Sequence, residues 1–224
     1  MSAGAALEAM KAGLTQVAAL QGGWAAWLAG NYPVEGRAVV ESPIGAAPVA
    51  GEKGDPDAPV TIVEYTDYQC GYCARHALQT VPQIQEIYID TGKVRYVVKD
   101  FPLSFHANAR PAAVAARCAG AQDAYWQMHD HLFEKQTQWA GLDGAKLLET
   151  FASYADVLGL DVATFKACLS SGEFDEVIAA NLDEGQQAGV QGTPSFLING
   201  RLMVGAYPFA EFQERIEAAL ALSP

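Results

Sequence analysis

Positive charge is scarce in this 224-residue chain: 14 lysines and arginines stand against 26 aspartates and glutamates, a formal net charge of −12. That sign opposes docking on a phosphate backbone or an anionic membrane surface, which sets nucleic-acid binding aside. No apolar run approaches the ~20 residues that cross a bilayer, so no transmembrane segment is expected. Half the residues are hydrophobic and charges of both signs are interspersed, too apolar a mixture for a disordered chain. The length suits one domain with an insertion, or one domain and a fragment. The N-terminus lacks the charged stretch and unbroken apolar stretch of a signal peptide, because Glu8, Lys11 and Gln16 interrupt its alanines. The expectation is a cytoplasmic protein if Met1 is the true start, and otherwise a processed or trimmed chain. Cysteine is sparse as well: four residues, at 70, 73, 118 and 168, a close pair and a distant pair.

Residues 1–37 read as a short helix over 5–12, a strand near 17–20 and a second helix carrying Trp24 and Trp27. Residues 38–58, followed by Pro59, hold Pro43, Pro48 and Pro56 with Gly45, Gly51 and Gly54, a composition that breaks helix and strand and reads as a linker. The main domain is expected over 59–224. It opens with Val60-Thr61-Ile62-Val63-Glu64-Tyr65-Thr66-Asp67, β-branched and apolar like a buried strand. A helix over about 70–91 follows, kinked at Pro82 and stopped by Gly92, then a strand over 94–99. Strand, helix and strand in that order imply a parallel, right-handed crossover. Residues 105–172 show helical stripes and no strand, Tyr125, Met128, His129, Leu132 and Phe133 among them, and read as a helical insertion. A helix over 174–189 leads through Thr193-Pro194 to two short apolar runs joined by Asn199-Gly200, a strong hairpin signal, and a last amphipathic helix spans 208–220.

The close pair, Cys70-Gly71-Tyr72-Cys73, stands at the strand-to-helix junction. A helix start offers unpaired N–H groups and the positive end of the dipole, which favour an anion. Cys70 is therefore expected to ionise more readily than a free thiol and to be the more exposed nucleophile, with Cys73 the buried resolving thiol. The competing readings are half a zinc site and an inert buried pair. Zinc needs four ligands, and His76 is the one candidate close in sequence, so no metal and no cofactor beyond a redox-active disulfide are expected.

These residues resemble the thioredoxin superfamily, and within it the DsbA-like branch with its helical insertion. The resemblance runs from about Pro59 to Leu220 and rests on residues 64–73, on Lys99-Asp100-Phe101-Pro102-Leu103, on Phe105-His106, on residues 126–133 and on residues 189–196. It implies an α/β thioredoxin fold and a protein thiol–disulfide oxidoreductase acting on protein or peptide thiols, with an unidentified redox partner. It also implies a cis peptide before Pro194 facing the cysteines, Thr193 backbone groups presented to a bound peptide beside Gly71 and Tyr72, and Glu64 as the buried proton acceptor of the second thiol. A strand carboxylate paired with Lys99 is the alternative reading of Glu64. The Gly71-Tyr72 dipeptide looks like that of bacterial disulfide isomerases rather than the Pro-His of strong oxidases. An isomerase, or a non-enzymatic peptide-binding, chaperone-like module using the apolar surface around Pro194, is accordingly the alternative function.

Cys118 and Cys168 lie on helical stretches with apolar neighbours and are expected to form a structural disulfide across the insertion; two separate buried thiols are the alternative. Members of the resembled family mostly work outside the cytosol, and a second disulfide fits an oxidising compartment such as a periplasm or cell envelope. At the other end, residues 22–28 with 31–35 resemble the close of a rhodanese domain. No cysteine precedes Cys70, so that segment holds no sulfurtransferase nucleophile. Trp24 and Trp27, three apart on one helix face, need apolar cover from the main domain or from a second subunit, which would make a homodimer.

Overall fold

The computed structural model describes residues 47–222. The rhodanese-like segment, the Trp24/Trp27 helix and the first part of the linker lie outside the described residues.

Five strands form one mixed sheet in the order β1-β3-β2-β4-β5. They are β1 (Gly51–Lys53), β2 (Val60–Thr66), β3 (Val94–Asp100), β4 (Ser195–Ile198) and β5 (Arg201–Val204). Strands β2 and β3 run parallel, from Val60 opposite Val94 to Thr66 opposite Asp100, and the other pairs are antiparallel. Helical residues 71–89, here α1, make the crossover between β2 and β3. Because β2 and β3 are covered on both faces, their sequences read as continuous apolar runs rather than alternating ones. Ile62, Tyr96, Phe196 and Ile198 face Ile84 and Tyr88 of α1 together with Phe212 and Ile216 of the C-terminal helix. Val63, Tyr65, Val97 and Leu197 face the opposite layer, with Ala188 and Val190.

Five helices follow β3 and make up the insertion: α2 (Ala109–Gly120), α3 (Tyr125–Glu134), α4 (Gln136–Trp139), α5 (Gly144–Val157) and α6 (Val162–Ser171). Helix α7 (Asp175–Gln187) then leads to β4, and α8 (Phe209–Leu220) closes the described chain. The stripe Tyr125, Met128, His129, Leu132 and Phe133 is buried along α3. A disulfide joins Cys118 of α2 to Cys168 of α6, with Cα atoms 5.8 Å apart. Between β4 and β5, Asn199 and Gly200 both take positive φ, 44° and 77°, as a two-residue hairpin turn of this hand requires.

One sequence expectation is corrected and another is given in finer detail. Residues 47–58 do not form a free linker, because Gly51–Lys53 pairs antiparallel with Tyr96–Val98 at the sheet edge. Just before that strand, the Ala47 N–H donates to Glu184, the Pro48 carbonyl accepts from Asn181 and the Val49 carbonyl from Arg117. Three residues are too few to show a strand period, and Gly51 serves here because a Cβ would run into the Tyr125 ring. In α1, widened turns flank Pro82. The Val81 N–H closes a π-type turn onto the His76 carbonyl just before the proline, and the Asp90 N–H closes a second onto Gln85 at 2.9 Å.

Candidate active site

The turn from β2 into α1 is built on Asp67. Its buried carboxylate accepts the Gln69 N–H at 2.7 Å and the Leu103 N–H at 2.8 Å, and stands 2.9 Å from His106 Nδ1. The Cys70 N–H donates to the Asp67 carbonyl at 3.0 Å. Cys70 then takes extended backbone angles as the N-cap of α1, and its carbonyl accepts from Ala74. From the insertion, Gln136 Nε2 donates to the carbonyls of Tyr68 and Cys70, at 2.7 and 3.1 Å. Neither Asp67 nor Gln136 was singled out from sequence. The carboxylate three positions before Cys70 was a legible cue for a turn, whereas Gln136 is brought here only by the packing of the insertion.

Both Cys70 and Cys73 are free thiols. Cys70 retains 6% of its surface and Cys73 none, so the difference in exposure is small. Their chemistry differs more. The Cys73 thiol beside it draws Cys70 down to about 6 against the opposing effect of its burial, helped by the Cys73 and Tyr72 backbone N–H groups and the Thr193 side chain. Burial pushes Cys73 well up, reinforced by Cys70 and by the charge of Glu64. At neutral pH Cys70 is mostly thiolate and Cys73 a thiol.

The Thr193–Pro194 peptide is cis, and the Thr193 carbonyl lies 3.4 Å from Cys70 Sγ. The loop is tied in place: the Gly205 N–H donates to the Pro194 carbonyl, and Arg75 of α1 reaches the Ala206 carbonyl, each at 2.9 Å. Gly71 faces open space, and Tyr72 is 62% exposed with the Arg75 guanidinium 5.2 Å from its ring.

Glu64 is buried beneath this site and accepts from the Tyr96 hydroxyl at 2.6 Å. It does not pair with Lys99. Glu64 stands opposite Val98 in the β2–β3 register and Lys99 opposite Tyr65, so the two side chains leave opposite faces of the sheet. Lys99 instead binds Glu184 at 3.0 Å and the Ala47 carbonyl at 2.5 Å. Among the described residues, no three His, Cys, Asp or Glu side chains gather to hold a metal ion.

A strand-to-helix turn bearing two free thiols thus stands against a cis-proline loop. The sequence model of a family described as thioredoxin matches residues 51–218. The chain belongs to the thioredoxin family. Among relatives of this thioredoxin-family chain, a protein of Salinispora tropica named as a Na(+)/H(+) antiporter is 37% identical over 170 residues, covering 75% of this chain and 24% of that protein. A Rickettsia felis protein named as a candidate protein-disulfide oxidoreductase is 30% identical over 168 residues, covering 75% of this chain and 59% of the relative. The chain thus spans about a quarter of the antiporter's length and under two thirds of the other's. The crystal structure of oxidised BdbD from Bacillus subtilis superposes with a TM-score of 0.67 at 28% identity, covering 76% of this chain and 92% of that one. The crystal structure of Wolbachia pipientis alpha-DsbA1 superposes with a TM-score of 0.67 at 25% identity, covering 76% of this chain and 90% of that one, so the thioredoxin fold with a helical insertion is shared with a DsbA structure.

Proposed function

We propose that this chain is a protein thiol–disulfide oxidoreductase whose working pair is Cys70 and Cys73. The observation that carries the reading is the placement of two free thiols within one turn at the start of α1, with Cys70 Sγ 3.4 Å from the Thr193 carbonyl of the cis Thr193–Pro194 loop. The Cys70 thiolate attacks one sulfur of a substrate disulfide, and the other substrate sulfur leaves as a thiolate. Cys73 then passes its proton to Glu64 and attacks Cys70 Sγ. The Cys70–Cys73 disulfide forms, the second substrate sulfur leaves, and two electrons have passed to the substrate. Run backwards, the same steps oxidise a substrate dithiol and require a redox partner to restore the protein's disulfide.

Thr193 and Pro194, with Gly71 and Tyr72, make the docking surface for a peptide. Support for this comes from the Thr193 carbonyl beside Cys70, the open space above Gly71 and the exposed Tyr72 ring. The disulfide between Cys118 and Cys168 supports an oxidising compartment for the mature protein. Insulin-disulfide reduction by dithiothreitol separates catalysis from peptide holding. The wild type should accelerate precipitation of insulin chains and Cys70→Ser should not, whereas equal behaviour of the two would leave a peptide-binding module.

A further inference from the structure

Glu64 is one end of a buried chain of hydrogen bonds whose direction can be read from proton counting. The Tyr96 hydroxyl is 2.6 Å from Glu64 Oε2 and 2.9 Å from His76 Nε2. A phenol has one proton to give, and a carboxylate can only accept. The Tyr96 proton therefore goes to Glu64, and His76 must donate to Tyr96 through Nε2–H. That fixes His76 as the neutral Nε2–H tautomer, with Nδ1 unprotonated; Nδ1 is buried and has no hydrogen-bond partner among the described residues. Glu64 Oε1 is likewise buried without a partner. His76 lies three residues after Cys73, on the same face of α1.

We propose that Tyr96 and His76 are positioning residues for the exchange reaction: a one-way relay from His76 through Tyr96 occupies Glu64 Oε2 and leaves Oε1 free to take the Cys73 proton. This rests on the reading of Cys73 as the resolving thiol and Glu64 as its proton acceptor. Two donors in series strengthen each other inside a low-dielectric core. The relay is fully enclosed, with Tyr96 and His76 both without exposed surface. The other titratable groups that act on Glu64 or on this relay are Cys73 on α1, Tyr68 in the turn after β2, and Tyr125 and His129 on α3. Phe196 on β4 and Phe212 on α8 present only apolar rings to His76, at centroid distances of 4.5 and 4.9 Å. Burial lowers His76 to about 4, so it stays neutral across the working range of a thiol enzyme.

Stopped-flow mixing of the reduced protein with excess oxidised glutathione separates the two chemical steps. In the bimolecular phase the Cys70 thiolate displaces one glutathione thiolate. In the first-order phase Cys73 loses its proton to Glu64 and attacks Cys70 Sγ, and the second glutathione departs as a thiolate that is then protonated. The pH profile of the first-order phase is the readout. Tyr96→Phe keeps the ring and removes the donor to Glu64. Its inflection should move up by about one pH unit, slowing the phase about tenfold below it. His76→Phe keeps the aromatic contacts with Phe196 and Phe212, and should shift the inflection in the same direction by less; it carries the test alone if Tyr96→Phe does not fold. Glu64→Gln should abolish the inflection. If it does so while both phenylalanine variants superimpose on the wild type, the relay is only packing and the proposal is wrong although Glu64 remains the acceptor. An inflection that survives Glu64→Gln would overturn the assignment of Glu64, and this proposal with it.

Discussion

At the scale of single residues, the central quantity is the acidity of Cys70. Its thiol is drawn down to about 6, chiefly by the neighbouring Cys73 thiol, so thiolate predominates above that pH and is lost as the pH falls through it. Alkylation of the reduced protein by iodoacetamide should therefore rise with pH around 6 and level off by about pH 8, whereas a free thiol would still be gaining reactivity near ~8.5. A midpoint near that of a free thiol would contradict the geometry around Cys70. Much of this chemistry was legible in the sequence, because a Cys-x-x-Cys at a helix start and a proline suited to a cis bond carry their meaning in residue type and local position. The partner of Glu64 was not legible. Whether it meets Lys99 or Tyr96 depends on the parity of the β2–β3 register, and a one-residue difference sends a side chain to the other face of the sheet. His76 and Tyr96, twenty positions apart, meet only because the crossover helix packs on the sheet face that also carries Glu64.

At the scale of elements, the turn between β2 and α1 decides where Cys70 stands, and Asp67 decides the turn. Asp67→Ala would strip the Gln69 and Leu103 N–H groups and His106 of one shared acceptor. Hydrogen bonds to a charged group are worth roughly 1.5–3 kcal/mol each, and partial rehydration of the donors offsets some of the loss. A destabilisation of about 3 kcal/mol is expected in urea denaturation, with slower attack by Cys70 in the folded variant. A loss below about 0.5 kcal/mol would show that the turn holds itself. The other elements differ in how openly the sequence announces them. Strands β2 and β3, the stripe along α3 and the Asn199-Gly200 hairpin are long or chemically marked enough to read directly. Strand β1 is not, since it is three residues long and owes its existence to the free edge of β3. The widened turns of α1 were legible only as a disturbance at Pro82, because sequence shows the missing N–H but not which carbonyl goes without it.

At the scale of the whole described domain, the insertion does more than decorate the sheet. Cys70 and Cys73 share one apolar cluster with Ala112, Ala116, Met128, Leu132, Phe133 and Trp139, so the floor of the site belongs as much to α2, α3 and α4 as to α1. The disulfide between Cys118 and Cys168 closes a loop with a sequence separation of 50 and ties α2 to α6, which keeps that floor in place. Arg117 of α2 binds Asp100 at 2.6 Å and Asn181 at 2.9 Å, while Lys99, leaving the opposite face of the sheet, binds Glu184, and these buried groups also hold residues 47–49. The domain thus begins earlier than its proline-rich approach suggests. All of this converges on one asymmetric pair of thiols, and trapping of mixed disulfides tests that asymmetry most directly. Each single variant, Cys73→Ser and Cys70→Ser, would be incubated with a disulfide-bonded protein substrate, and the adducts counted by non-reducing mass spectrometry. The account predicts that Cys73→Ser accumulates substrate on Cys70 because no resolving thiol remains, and that Cys70→Ser accumulates at least about tenfold less because its remaining thiol is buried and protonated. Equal trapping by the two variants, or more by Cys70→Ser, would contradict it.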